Sequence, residues 1–165
     1  MEGSYERGRR VLKAERPLTC GRPGCACSLP IGERFVLWAL RQWLHDRMAR
    51  PARSPLAAVF HEAGLSDVQP DFVMAMEAVL LGARHPLEIH LPTCSRVSSD
   101  EAMMVALCGL AQSGHDGPFT RSLHRLMVPT AARVATGRLK TFAAALAQAG
   151  LKLAPTTHEP GGQLN

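Results

Sequence analysis

Apolar residues recur at three- and four-residue steps through most of the middle of the chain, a spacing that predicts helices rather than strands. From about Gly32 to Arg50, Val36, Leu40, Trp43 and Leu44 form a stripe that Phe35, Trp38 and Ala39 widen, and Pro51 ends it. Ser54 as N-cap, Pro55 at the first helical position and Gly64 at the end bracket a second helix. A third is expected from about Asp67 to Leu81, closed by Gly82, and a fourth from about Ser99 to Gln112. A fifth, from about Pro118 to Met127, and a sixth, from about Pro129 to Gln148, complete the set, with Gly150 at the position of a C-terminal cap.

The fourth helix is the most sharply defined. Ser98 followed by Glu101 has the spacing of a capping box, in which the hydroxyl accepts from a free amide and the carboxylate reaches back. Its middle, "AMMVALCGLA", is apolar nearly all round, which requires neighbours on every side and marks the central helix. Before it, residues 83–97 form a connector holding Pro86 and Pro92, where "LEIH" reads as an extended piece without a partner strand. The expected fold is therefore all-α: a compact bundle of about six helices over residues 31–152. Residues 1–30 and 153–165 are expected to be flexible tails, because "ERPLTCGRPGCACSLP" and "APTTHEPGGQLN" are punctuated by Pro and Gly.

Composition narrows the class without changing it. A chain of 165 residues is one domain's worth, and with aromatics at only 5% the core must be built mainly from Leu, Val, Met and Ala, which suit helices. The formal charge of +5 is uneven: residues 1–30 carry six Lys/Arg against three acids, and the remaining 13 basic and 11 acidic residues leave the body near +2. A basic tail, not a basic groove, is the first reading of that imbalance. No apolar run reaches membrane-spanning length and no apolar h-region follows the first charges, so the chain reads as cytoplasmic. Five cysteines, an odd number, fit reduced thiols better than a closed disulfide set.

Three chemistries compete for "EIHLPTCSRVSSDE" and its neighbours. A zinc site would draw on His90 and Cys94, with three residues between them, and on Cys20, Cys25 and Cys27 in the tail. The tail spacing, C-x4-C-x-C, is not that of a zinc knuckle, and Cys94 as a small hydrophobe in a linker is the blander account. A thiol enzyme would use Cys94 as nucleophile and His90 as base, oriented by Asp100 or Glu101. Capping already accounts for those carboxylates, and no glycine-rich approach loop accompanies them. Nucleic-acid binding would rest on Arg121, Arg125, Arg133, Arg138 and Lys140, with Arg84 and Arg96 near them, but no aromatic residues interleave to stack bases.

The stretch "LAAVFHEAGLSDVQPDFVMAMEAVL" resembles a helix-turn-helix, with "AGLS" as the turn. The resemblance implies a recognition helix from about Ser66. That helix carries Asp67, Asp71 and Glu77 and no Lys or Arg, so its charge repels a polyanion and no function carries over. The reading left standing is a small non-enzymatic regulator or adaptor acting on a protein partner. A metal- or redox-sensing protein is the runner-up and non-specific nucleic-acid binding the third.

Overall fold

The computed structural model describes residues 24–154. They form six α-helices: α1 (Ile31–Ala49), α2 (Pro55–Glu62), α3 (Gln69–Gly82), α4 (Ser99–Gln112), α5 (Asp116–Leu126) and α6 (Pro129–Gln148). The expected all-α class holds, and the described residues contain only two isolated antiparallel bridges, Cys25 with Arg96 and Ala83 with Met127.

Helix boundaries follow backbone chemistry, with three departures from the periodic reading. A short 3-10 turn, Ser66–Val68, precedes α3, and the α-helix proper begins at Gln69. Pro70 then sits in the first turn, where its missing N–H costs nothing. Helix α5 begins two residues earlier than Pro118, for the same reason. Ser54 occupies the N-cap position of α2, yet its hydroxyl donates to Asp46 Oδ2 at 2.6 Å instead of capping the helix. At the other end of the chain, Gly150 adopts φ +79°, and the Leu151 amide donates back to the Leu146 carbonyl at 2.8 Å. That left-handed turn terminates α6 as its glycine suggested.

Helix α4 packs on α1, α5 and α6, and every residue from Met104 to Leu110 is buried. Helix α3 lies chiefly along α6. Where they meet, Gly82 is obligatory: a Cβ there would collide with the Ala131 side chain. Rings tie the layers together, with Phe60 (α2) 5.5 Å from Phe35 (α1) and 5.4 Å from Phe72 (α3), and Phe142 (α6) 5.0 Å from Phe72.

Both edges of the expected domain are extended. Residues 24–30 were expected to belong to a loose arm, but Gly24–Ala26 pairs with Ser95–Val97. Ala26 N donates to Ser95 O at 2.8 Å and Val97 N to Gly24 O at 3.0 Å, and Cys25 is buried. Pro and Gly had argued against regular structure, and two backbone hydrogen bonds need none. At the C-terminal side, Leu153 is buried, its amide donates to Gln112 Oε1 at 2.8 Å, and Gln112 Nε2 donates to Leu151 O at 3.0 Å.

This last segment crosses two glycines. A Cβ on Gly32 would strike the Lys152 carbonyl, and one on Gly109 the Ala154 carbonyl. Gly32→Ala and Gly109→Ala are each expected to lower stability by roughly 1–3 kcal/mol, since backbone must shift to make room. Urea unfolding checks this, with Gly137→Ala, where nothing lies nearby, as the harmless control.

Candidate functional site

The "EIHLPTC" connector is held by one buried ion pair. Arg41 on α1 and Glu101 on α4 are 2% and 0% exposed and meet side by side, Nε to Oε1 at 2.7 Å and Nη2 to Oε2 at 2.8 Å. Arg41 then uses its remaining donors on the connector, Nη1 to the Cys94 carbonyl at 2.6 Å and Nη2 to that of Arg96. Glu101 accepts from the His90 amide and the Ser98 amide, both at 2.9 Å, and its own amide donates to Ser98 Oγ at 3.1 Å. The capping box read from the sequence is thus present, with an unforeseen partner inside it. The guanidinium fork matches the carboxylate, and every carboxylate lone-pair direction in use faces a donor.

Burial would raise the Glu101 pKa. The hydrogen bonds from Arg41, Ser98 and His90, together with the Arg41 charge, outweigh it and hold the carboxyl below the usual 4.5. A folded-state pKa below the unfolded one means a contribution fully present above about pH 4.5 and lost as pH falls through the folded value. Stability is expected to decline over that acid window, and the decline should disappear in a Glu101→Gln chain, as read by thermal melts from pH 6 downward on both proteins.

The predicted thiol and metal ligands are distributed around this clamp. His90 Nδ1 lies 3.3 Å from Glu101 Oε2 and 3.2 Å from the Arg96 carbonyl, and its Nε2 lies 3.2 Å from Glu88 Oε1. Asp100 accepts from the Glu88 amide at 2.8 Å and faces His85 Nε2 at 3.0 Å. Both carboxylates therefore accept from connector amides while each also faces an imidazole. Cys94 and Cys27 line one pocket, whereas Cys25 is buried at the bridge to Arg96. Cys20 lies outside the described residues. Among the described residues, no three His, Cys, Asp or Glu side chains gather to hold a metal ion. Cys108, enclosed in α4, has its thiol pushed up to about 12 by burial, so it stays protonated.

Several of the basic residues read from the sequence have partners of their own. Arg138 pairs with Asp71 at 2.5 Å and Lys140 with Asp116 at 2.7 Å, while Arg84 Nε donates to the His124 and Met127 carbonyls. Two of the seven cations are thereby neutralised by carboxylates.

A different feature is an uncovered apolar groove. Between α3 and α6 runs an open groove of about 620 Å³, lined by Met74, Ala78, Leu81, Val128, Ala131 and Val134, with Gly82, Thr130 and Glu77 completing its wall. Leu81 is 80% exposed and Val134 51%. Glu77, the one charged lining residue, is paired with Arg47. The groove exists because α3 is apolar on more than one face: Phe72, Met76 and Val79 fill the core, leaving Met74 and Leu81 outside. The sequence reading gave these helices their bounds and did not single out these residues. An apolar residue count larger than one helix face can bury was the available signal. Comparison of the chain with known protein families, characterised proteins and solved structures yields no match, so the functional reading rests on this geometry alone.

Proposed function

We propose that the protein is a non-enzymatic regulator or adaptor that holds an amphipathic helix of a protein partner in the α3–α6 groove. The carrying observation is the contiguous apolar lining left uncovered there, with Leu81 and Val134 projecting from opposite walls. Uncovered apolar surface with a polar rim is characteristic of protein contact sites, and a groove between two helices suits the i, i+3, i+4, i+7 anchors of a third.

Charge selects the partner's flanks. Glu77 is already neutralised by Arg47, while Arg84 borders the groove at Gly82 and Met127, and Arg133 adjoins Val134 on the exposed side of α6. A helix with a Leu-type apolar stripe and acidic edges complements that arrangement.

Val134→Glu is expected to weaken such binding on the order of tenfold or more, because a carboxylate would be buried without a partner. Its side chain is half exposed, so folding should be retained, as circular dichroism would verify. A photo-crosslinker at Leu81 in the full chain, exposed to native extract, should capture an acid-flanked amphipathic segment and lose it when Val134→Glu is added. Crosslinks unaffected by Val134→Glu, or crosslinks only to a second copy of this chain, would overturn the proposal.

A further inference from the structure

A second concavity, sharing no residue with the α3–α6 groove, lies between α1 and the connector. Arg34, Leu37, Trp38 and Arg41 stand at i, i+3, i+4 and i+7 of α1, so one face of that helix makes its floor. Pro92 and Cys94 of the connector form the opposite wall, and the volume is about 200 Å³. The Cys94 carbonyl accepts from Arg41 Nη1 at 2.6 Å, so the clamp that orders the connector also fixes the shape of this pocket.

Charge inside it is unbalanced. Two guanidiniums line the pocket and no carboxylate does. Arg41 is neutralised from behind by Glu101. Arg34 differs, because its Nε is buried with no hydrogen-bond partner among the described residues. Glu33, next to it in the chain, turns its Oε1 to the Ala154 amide at 3.3 Å. Buried polar donors are ordinarily satisfied, and one that lines a pocket without an acceptor points to a group arriving from outside. A water would satisfy the donor and leave the charge; an anion does both.

The walls narrow the chemistry of that group. Nε belongs to the edge with which Arg41 grips its own carboxylate, Nε to Oε1 and Nη2 to Oε2. A carboxylate suits the same edge of Arg34. Leu37 and the Trp38 ring supply apolar surface beside it, and aromatic faces favour a flat ring. A cavity of about 150 Å³ takes benzene, so the space here admits one ring with its carboxylate.

We propose that this pocket is a binding site for a small aromatic carboxylate, whose charged end pairs with Arg34 and whose ring lies against Trp38. The site does not depend on the docking groove, and its failure would leave that reading intact.

The test titrates benzoate into the isotope-labelled full chain at constant ionic strength. The chain has two tryptophans, so two indole N–H signals report two places. The Trp38 signal should shift and saturate with one benzoate per chain, while that of Trp43, buried in the core, stays nearly unmoved. Benzyl alcohol, which lacks the charge, and inorganic phosphate, which lacks the ring, should each bind at least roughly tenfold more weakly. Arg34→Met should weaken benzoate binding by a similar factor, and Arg121→Met, an exposed site on α5, should leave it unchanged. Without ligand, Arg34→Met should melt no lower than the native chain, because it removes an unsatisfied donor and keeps the apolar stem. A silent Trp38 signal, benzyl alcohol or phosphate binding as tightly as benzoate, shifts that survive Arg34→Met, or a lower melting temperature for that variant would overturn the proposal.

Discussion

Arg41→Met is expected to lower the unfolding free energy by about 3–5 kcal/mol, the usual consequence of leaving one member of a buried ion pair alone. Glu101 would keep its two backbone donors but lose the charge that offsets its burial, and the Cys94 and Arg96 carbonyls would lose a common donor. The pH response should reverse as well. In the native chain the Glu101 pKa is held low, and stability falls on acidification. Without Arg41, burial dominates and pushes that pKa up, so protonation stabilises the folded state and the variant gains stability as pH falls. Urea titrations of both chains at pH 7, pH 5 and pH 3 read the two effects together, the variant's rise appearing in the first step and the native chain's fall in the second. The control is Arg47→Met, whose pair with Glu77 is partly exposed and is expected to contribute about 0–1 kcal/mol. A loss no larger for Arg41 than for Arg47 would show that the connector is not held as described.

Phe142→Ala should be comparably damaging, costing about 3–5 kcal/mol through lost burial and the cavity left behind. Its ring is fully buried, 5.0 Å from Phe72 and 6.0 Å from Phe60, and Phe60 in turn reaches Phe35. One deletion therefore loosens contacts among α1, α2, α3 and α6. Phe142→Leu keeps most of the volume and is expected to cost under about 1.5 kcal/mol. Denaturant midpoints for the two variants give the comparison, and near-equal losses would argue that the site collapses freely around either side chain.

What the sequence made legible was local. Ser98 and Glu101 announce their cap because both partners lie within one turn, and Pro51, Pro55, Gly82 and Pro129 mark helix ends through their own backbone limits. What stayed hidden depended on residues far apart in the chain. Arg41 resembles any surface arginine until Glu101, 60 residues later, is placed against it. Cys25 sits among prolines and glycines that suggest a loose arm, and only its bridge to Arg96 makes it interior. The groove was hidden in another way: Met74, Leu81 and Val134 are apolar like the core residues beside them. The apolar excess of the third helix says that some side chains must be left over, and packing decides which.

The seam closed by Gly32 and Gly109 also sets a timetable for biosynthesis. Glu33 Oε1 accepts from the Ala154 amide 121 residues later, so α1 leaves the ribosome long before the segment that covers it. At translation speeds of roughly 5–20 residues per second the wait is about 6–24 s. Throughout that interval the exit-side face of the first helix is bare, and a nascent chain stalled short of Ala154 would present it to chaperones.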